Sequence, residues 1–318
     1  MNEAKSNTRI AGVDVSKPRL DVALHGAEPA ATLQVANTAQ GHAELLAWLS
    51  ARGVGRVGLE ATGGYERGVV EALAAAGLEV VVHQPLEVRL FARIKRLRAK
   101  NDRIDARLIA LATAQVDTVK AAADPRLREL AERLTAYEQA ADLVRLLKTQ
   151  MEHVRLPDLL EEARAQLAQL KARKARLAAD LLARLRAWPD LARRFDLVRS
   201  LPGVGPIVAL GLVVRMPELG AMGRGQAAAL IGVAPFDRDS GAHKGQRFIA
   251  GGRCRPRRLL YIAAMAARRC DPALKAFAQR LIDNGKPPKV ALVAVMRKLI
   301  EAANLVLKRD QPWTPVLN

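Results

Sequence analysis

The chain has few cysteines and few aromatic residues. Its 318 residues include two cysteines, Cys254 and Cys270, with fifteen residues between them and no His or Cys cluster beside them, and only 3% of the residues are aromatic. This pattern argues against both a disulfide framework and a zinc site. We therefore expect both thiols to be buried and inert.

Long apolar segments are also missing. No stretch reaches the roughly 18 uninterrupted apolar residues that a membrane span needs, and the start, MNEAKSNTRIAG, has no apolar signal core. We therefore expect no membrane partner, and a location that is cytoplasmic or nucleoid-associated.

Positive charge is abundant and uneven. Residues 1–88 hold 7 Lys or Arg against 10 Asp or Glu, a net charge of −3, whereas residues 89–318 hold 44 against 22, a net charge of +22. Such a surplus attracts polyanions, of which nucleic acid is the commonest. Because aromatic residues are few, recognition of backbone and A-form shape fits better than base stacking. An alternative is a solvated basic surface that only reflects the base composition of the genome.

The first part of the chain alternates between strand and helix patterns. Three strand-like runs, IAGVDVS, RLDVALHG and ATLQVANT, are followed by helix, strand, helix and strand, and the stretch 86–115 has the pattern of one long helix. Three antiparallel strands followed by these elements are typical of an α/β RNase H-like (RuvC-like) domain. We assign this domain to residues 1–122.

The rest of the chain is mainly helical. Residues 123–188 contain two long helical runs with leucines spaced by three and four, which predicts a coiled-coil seam within one chain, between two chains as a dimerisation segment, or both. A helical hairpin packed onto another domain would produce the same spacing. Residues 189–318 form the predicted C-terminal domain, which is Gly-rich at first and then mainly α.

Four carboxylates stand out in the first domain. Asp102 and Asp105 are three residues apart, which places both on one face of a helix, Asp14 lies within an apolar strand, and Glu60 ends another. If they converge, repulsion would be severe unless a divalent cation lies between them, and Mg²⁺, or alternatively Mn²⁺, prefers such oxygen ligands. A D-x-x-D pair alone is more often a solvated helix face.

A basic run precedes these aspartates. The sequence RLFARIKRLRAK, residues 89–100, holds six Lys or Arg and no acid. We expect it to hold a nucleic-acid backbone while the aspartates hold the metal ion between protein and phosphate. The candidate contacts are Arg93, Lys95, Arg96 and Lys100.

Two motifs in the C-terminal domain also suggest phosphate binding. LPGVG places Gly203 and Gly205 before an apolar helix, as in a helix-hairpin-helix module that binds DNA backbone; an ordinary tight turn is the alternative. Ser240 then opens a basic loop and is a candidate nucleophile, although most serines there serve a turn. The basic candidates that follow it are Lys244, Arg247, Arg253, Arg257 and Arg258.

Taken in order, the motifs GVDVSK, LEATGGY, KNDRIDA, LPGVGPIVA, GVAP…SG…KGQR…GGR and KPPKVALVAVMRKL resemble the DEDD-type insertion-sequence transposases with a C-terminal serine domain. The resemblance extends from residue 10 to about residue 308. One departure is His83-Gln84-Pro85, where the family more often has Asn-Pro.

The resemblance implies a mechanism and its residues. Asp14, Glu60, Asp102 and Asp105 would bind Mg²⁺, and Ser240 would form a covalent phosphoserine link to DNA. A structured non-coding bridge RNA would pair with target and donor DNA, and subunits of a dimer or dimer of dimers would combine their sites. Two other functions stay open from the residues: a RuvC-like, structure-selective endonuclease, and a non-catalytic nucleic-acid scaffold.

Overall fold

A computed structural model describes residues 9–26, 31–95, 102–117, 124–236 and 247–314, without the side chains of residues 102–104. The chain divides into two compact units, Met1–Ala122 and Ala123–Asn318. The predicted further division at residue 188 stays a prediction.

The described residues of the first unit form a five-stranded mixed sheet and four helices. The strands, in chain order, are β1 (Arg9–Val15), β2 (Arg19–Leu24), β3 (Thr32–Ala36), β4 (Val54–Glu60) and β5 (Glu79–His83). The helices are α1 (Ala39–Ser50), α2 (Arg67–Ala75), α3 (Pro85–Ile94) and α4 (Asp102–Thr113).

The sheet has the order β3-β2-β1-β4-β5, with β1, β2 and β3 antiparallel and β1, β4 and β5 parallel. This topology fits the RNase H-like fold that the element order predicts. One face of the sheet packs against α1 and α2. On that face, the side chains of Val13 and Val15 in β1 and of Leu59 in β4 lie in one buried cluster with leucines of α1 and with a valine and a leucine of α2. Helix α4 packs on β1, β2 and β4, and the alternation of strand side chains assigns it to the opposite face.

The prediction of one helix over residues 86–115 is wrong. Helix α3 ends at Ile94 and α4 begins at Asp102. Val88 of α3 packs against Leu108 and Ile109 of α4, which residues 86–115 could not do as one straight helix. The apolar spacing over this stretch therefore belongs to two helices that bury their faces against each other.

The second unit is mainly helical. Its helices are α5 (Pro125–Met151), α6 (Pro157–Arg186), α7 (Pro189–Arg199), α8 (Pro206–Arg215), α9 (Gln226–Ile231), α10 (Cys254–Cys270), α11 (Pro272–Asp283) and α12 (Pro288–Arg309). Between α9 and α10, two short strands, β6 (Pro235–Phe236) and β7 (Phe248–Ile249), pair antiparallel.

In the core of the second unit, the N-terminal part of α5 and the C-terminal part of α6 pack against the later helices. Leu130 and Leu134 of α5 and Leu181 and Leu185 of α6 are fully buried in the same cluster as α7, α8, α10 and α12. Farther along, Leu143 and Leu146 of α5, Leu156 before α6 and Leu159 of α6 are exposed, whereas Val144 of α5 is buried. Coiled-coil pairing with a second chain stays a prediction.

The expectation of buried thiols is wrong, since Cys254 and Cys270 are both exposed at the two ends of α10. Helix ends lie at the surface here, whereas the middle of α10 is buried through Leu260, Ala263, Ala264 and Ala267. In the part of the chain that the structure describes, no helix has the length and apolar character to cross a membrane.

Candidate active site

A row of polar residues crosses all five strands of the first unit. Asp21 pairs with Gln34 on β3 and with Asp14 on β1, and Glu60 pairs with His83 on β5. Val13 pairs with Leu59, so Asp14 and Glu60 each follow at the next position of two parallel neighbours. Side chains alternate along strands, which places Gln34, Asp21, Asp14, Glu60 and His83 on one face.

Two glycines let α4 approach this face closely. Gly12 and Gly58 are register partners on β1 and β4. A Cβ atom at Gly12 would overlap the carbonyl oxygen of Ala106 and the backbone nitrogen of Ala110, and a Cβ atom at Gly58 would overlap the Thr113 side chain. Asp14 and Glu60 are each two residues farther along their strands, so they share the face that α4 covers.

Helix α4 carries the other two predicted carboxylates. Asp102 is its first residue, and the Asp102 side chain lies outside the described part of the structure. Asp105 is partly buried and immediately precedes Ala106, the residue over Gly12. The fold therefore brings the backbone positions of Asp14, Glu60 and Asp105 to one layer between the sheet and α4.

Asp21 is a further candidate site residue that the sequence analysis missed. It is only 6% exposed, and its two carboxylate oxygens accept hydrogen bonds from Gln34 Nε2 at 2.7 Å and Arg19 Nε at 3.2 Å. These two donors hold the Asp21 carboxylate in one orientation beside Asp14. The signal was present, because Asp21 interrupts the apolar strand RLDVAL much as Asp14 interrupts GVDV.

His83 at the other end of the row was noted only as a departure from the family pattern. It is 5% exposed, and its Nε2 lies 2.8 Å from Thr113 Oγ1. Burial lowers the pKa of His83, and the Glu87 carboxylate opposes that shift. His83 therefore links β5 to the end of α4 as a neutral side chain near pH 7.

The loop after Glu60 is held by its own polar groups. The Glu66 carboxylate accepts hydrogen bonds from Thr62 N, Thr62 Oγ1 and Gly64 N at 2.8–3.1 Å. Burial raises the pKa of Glu66, but the backbone and Thr62 hydrogen bonds outweigh burial and leave that pKa below its usual value. Asn37 also donates from Nδ2 to Ser16 O and Tyr65 O, both at 3.0 Å. These bonds tie together the loops that follow β1 and β4.

Within the described residues, no group of three or more His, Cys, Asp or Glu side chains is arranged to hold a metal ion. The Asp102 side chain is not among the described residues. Asp14, Glu60 and Asp105 are described and do not form such a group by themselves, so Mg²⁺ binding by the four carboxylates, whose chemistry suits that ion, stays a prediction.

The predicted nucleic-acid contacts are only partly described. Arg96, Lys100, Ser240 and Lys244 lie outside the described residues. Arg93 on α3 and Lys95 directly after it are exposed, as are Arg247 and Arg258. Arg258 also donates to Asp142 at 3.3 Å. Their contact with nucleic acid stays a prediction.

Several of the predicted contacts also have roles within the fold. Gly203 has φ +72°, and a Cβ atom there would overlap the α10 backbone at Ala263 and Ala267, so this glycine is required for packing. Gly205, in contrast, is the open N-cap of α8. Whether either glycine contacts phosphate stays a prediction.

Two arginines hold the chain segments around α10. Arg253 donates to both oxygens of Glu218 at 2.8 and 2.6 Å. Arg257 Nη1 donates to the carbonyl oxygens of Gly232 and Gly251 at 3.1 and 2.7 Å. These bonds connect the segments before α10 to that helix, and the contact of the two arginines with DNA stays a prediction.

Comparison with known proteins identifies both units. Residues 11–163 match the model of a DEDD transposase family, which is described as "Transposase". Residues 195–279 match the model of a second family, which is described as "Transposase IS116/IS110/IS902 family". Together the two matches span about three quarters of the chain.

Two relatives are similar over nearly the whole length. The pilin gene-inverting proteins of Moraxella bovis and Moraxella lacunata are each 24% identical over 323 aligned residues, which cover 95% of this chain and 96% of the relative.

Among solved structures, RuvC of T. thermophilus in complex with a Holliday junction substrate is 19% identical and covers 34% of this chain and 93% of that chain. Its TM-score of 0.28 is too low to bear on fold or function. The identification rests instead on the two family matches, which occur in order along one chain. The protein belongs to the IS116/IS110/IS902 family of transposases, enzymes that recombine DNA.

Proposed function

We propose that the protein cuts and rejoins DNA with Ser240 as nucleophile and with Mg²⁺ held by Asp14, Glu60, Asp102 and Asp105. The observation that carries the proposal is the strand register, which sets Asp14 and Glu60 side by side on the face that α4 covers. Carboxylates crowded together repel one another, and a divalent cation removes that repulsion.

Each group has a defined chemical task in this proposal. Mg²⁺, when bound, would neutralise negative charge that develops on the phosphodiester. Asp21, fixed by Gln34 and Arg19, would add a further negative charge beside Asp14 and so favour a bound cation. Ser240 Oγ would form a bond to phosphorus as the bond from phosphorus to a deoxyribose oxygen breaks, and the proton lost by the serine would balance the proton gained by that oxygen. Rejoining reverses these steps with a different strand end.

We further propose that a structured RNA selects the DNA sequences and that the protein acts as a dimer or dimer of dimers. The excess of 44 basic over 22 acidic residues after residue 88 supports binding of two kinds of nucleic acid through their backbones. The exposed leucines toward the far ends of α5 and α6 supply an apolar surface for a second chain. The name of the Moraxella relatives, pilin gene-inverting protein, describes a rearrangement that requires both cutting and rejoining.

A test for a covalent protein–DNA adduct decides whether Ser240 acts as the nucleophile. The full chain would be incubated with labelled DNA ends, Mg²⁺ and a transcript of the non-coding region that flanks the reading frame, and the products separated on a denaturing gel. We expect an adduct with the unmodified protein and none with Ser240→Ala or Asp14→Asn. Matched controls are Ser50→Ala and Glu44→Gln, which change exposed residues of α1.

The alternatives give different results in the same experiment. Hydrolysis without an adduct, unchanged in Ser240→Ala, would identify a nuclease that uses only the carboxylates. Recombination by Ser240→Ala at the normal rate would refute the nucleophile assignment. DNA binding without cleavage by any form would identify a non-catalytic scaffold. Omitting the transcript tests the RNA, since recombination at the same sites without it would refute RNA guidance.

A further inference from the structure

A cavity lies against α12 in the second unit. Its volume is about 570 Å³, and small-molecule sites typically enclose about 300–1,000 Å³. Much of its wall is apolar and includes Leu274 of α11, Leu305 of α12 and Trp313. Phe277 also lines it, but the Lys298 ammonium already lies over that ring, 4.5 Å from its centroid. The other apolar side chains leave a surface for a flat ligand that does not depend on the Phe277 ring face.

One carboxylate oxygen at this cavity has no partner among the described residues. Glu301 of α12 lines the cavity, and its Oε1 atom is buried without a hydrogen bond. Removing an acceptor from water without replacing its hydrogen bond costs free energy, and the cost is larger for a charged group. A ligand that donates an N–H group to Glu301 would offset this cost, which the described fold leaves in place.

The charges around Glu301 favour an anionic ligand. An adjoining cavity of about 430 Å³ shares Glu301 with the first. The charged residues that line the two cavities are four cations, Arg224, Arg297, Lys298 and Lys308, and two acids, Asp271 and Glu301. Asp271 already caps the N-terminus of α11. Arg224, Arg297 and Lys308 are exposed and form no ion pair with another described residue, so a phosphate can reach them.

Few ligands satisfy both the carboxylate and the cations. An inorganic anion would be repelled by Glu301 and would leave the apolar wall uncovered. An arginine or lysine of a second copy of this chain would pair with Glu301 but would bring positive charge to Arg224 and Arg297. A nucleotide combines a phosphate, a flat base with apolar faces and N–H donors on the edge of that base.

We propose that this cavity binds a guanine nucleotide, whose N1–H and N2–H groups donate to the Glu301 carboxylate while Arg224, Arg297 and Lys308 attract its phosphate. Guanine fits best because its two donors lie side by side and a carboxylate can accept two such bonds. Adenine and cytosine place an acceptor nitrogen beside their single amine, which would repel the second carboxylate oxygen. The nucleotide is either free or an unpaired guanine of a DNA or RNA strand, because its Watson–Crick edge must be open. The proposal uses neither Ser240 nor the four carboxylates of the first unit.

Calorimetric titration of the full chain with GMP, AMP, CMP and UMP tests base recognition. GMP should bind at least about tenfold more tightly than the other three. Glu301→Gln should remove this preference, because the amide nitrogen presents a donor to the donors of guanine. Glu161→Gln is the matched control, since Glu161 is exposed on α6, and it should leave the preference unchanged.

The cations and the source of the nucleotide are tested separately. Arg224→Ala with Arg297→Ala should weaken all four nucleotides equally and keep the preference for GMP, whereas Arg164→Ala, on the exposed side of α6, should change neither. Short oligothymidine and oligouridine strands with and without one central guanine identify the source. A gain in affinity from that guanine, lost in Glu301→Gln, would assign the site to a DNA or RNA strand, and a preference seen only with GMP would assign it to a free nucleotide.

Thermal unfolding supplies the second readout. Glu301→Gln should unfold at the same or a higher temperature than the unmodified protein, because it removes an unpaired buried charge. A lower unfolding temperature would make Glu301 a structural residue and overturn the proposal. Equal affinity for the four nucleotides would also overturn it, and so would the absence of GMP binding at about 1 mM, which would leave water as the only partner of Glu301. Because no cleavage is involved, a wrong assignment of Ser240 would not change these results.

Discussion

The hydrogen bonds of His83 define which form of the imidazole the fold accepts. Thr113 Oγ1 donates to Ile109 O at 2.7 Å, so it accepts from His83 Nε2 at 2.8 Å. The neutral tautomer with its proton on Nε2 satisfies this arrangement. Nδ1 then faces Glu87, whose Oε2 lies 4.0 Å away.

Stability around His83 should therefore depend on pH. Burial lowers the pKa of His83 below its usual 6.5 despite Glu87, and burial also lowers that of His42. Because the unfolded chain takes up the proton more readily, stability is fully present above pH 6.5 and declines as the pH falls from 6.5 toward the lowered pKa values. Hydrogen exchange of β5 and α4, corrected for intrinsic rates, should show less protection at about pH 5.5 than at about pH 8.

Two variants separate the contribution of His83 to this pH dependence from the contributions of other histidines. His83→Asn, which cannot acquire charge, should remove much of the pH dependence of protection in β5. His25→Gln, which replaces an exposed histidine, should leave it unchanged. Equal protection at both pH values in the unmodified protein would contradict the assignment.

Among individual residues, some candidate site residues could be predicted from the sequence and others could not. Asp14 and Glu60 were recognisable because each interrupts an apolar strand with a charge that is costly to bury unpaired. Gln34, Asp21 and His83 were not assigned, because their significance depends on which residue lies opposite on the next strand. Strand order follows from topology rules, but the register of pairing requires the structure.

Among the elements, α4 decides the geometry of the site. It packs over Gly12 and Gly58, where backbone and Thr113 atoms occupy the space that a Cβ atom would need. The sequence predicted a helix here and predicted its aspartates. It did not predict the break before Asp102, because apolar spacing alone does not distinguish one helix from two that pack against each other.

Gly12→Ala should therefore displace α4 from the sheet. We expect the free energy of unfolding to fall by about 1–3 kcal/mol, the usual cost of overpacking, and cleavage of DNA to fall with it because Asp105 moves with the helix. Urea denaturation followed by circular dichroism measures the first effect and the adduct gel measures the second.

Gly68→Ala provides the control for this change. A Cβ atom at Gly68 would meet only the His42 ring, at 3.0 Å, and alanine is the better helix former in α2. We expect little change in stability from that variant. A Gly12→Ala protein as stable and active as the Gly68→Ala protein would show that α4 does not require the close approach.

At the scale of the whole molecule, charge is divided along the chain. Residues 1–88 are slightly acidic, and the excess of positive charge comes after them. Some of the arginines form ion pairs within the fold, such as Arg253 with Glu218, so the charge available to DNA is smaller than the sequence count. The net charge of the sequence predicts that DNA is attracted to the protein. The structure shows which cations already form ion pairs within the fold.

Binding to DNA of arbitrary sequence should depend steeply on salt. Contact with six or more phosphates would lower the affinity by about a thousandfold between 50 and 200 mM salt. Fluorescence anisotropy over that range gives the slope. Arg93→Ala, which removes an exposed cation of α3, should reduce the slope by about one, whereas the Ser50→Ala control should not change it. An affinity insensitive to salt would contradict binding through the phosphate backbone.

The polar row across the sheet also limits how this protein can vary. The five positions share a face only through the pairing of their strands, so deleting one residue within β1 would turn Asp14 toward the leucines of α1 and α2 and bring valine to the opposite side. Relatives that keep the reaction can lengthen or shorten the chain between strands, but insertions and deletions inside β1, β2 or β4 should be absent from every active copy.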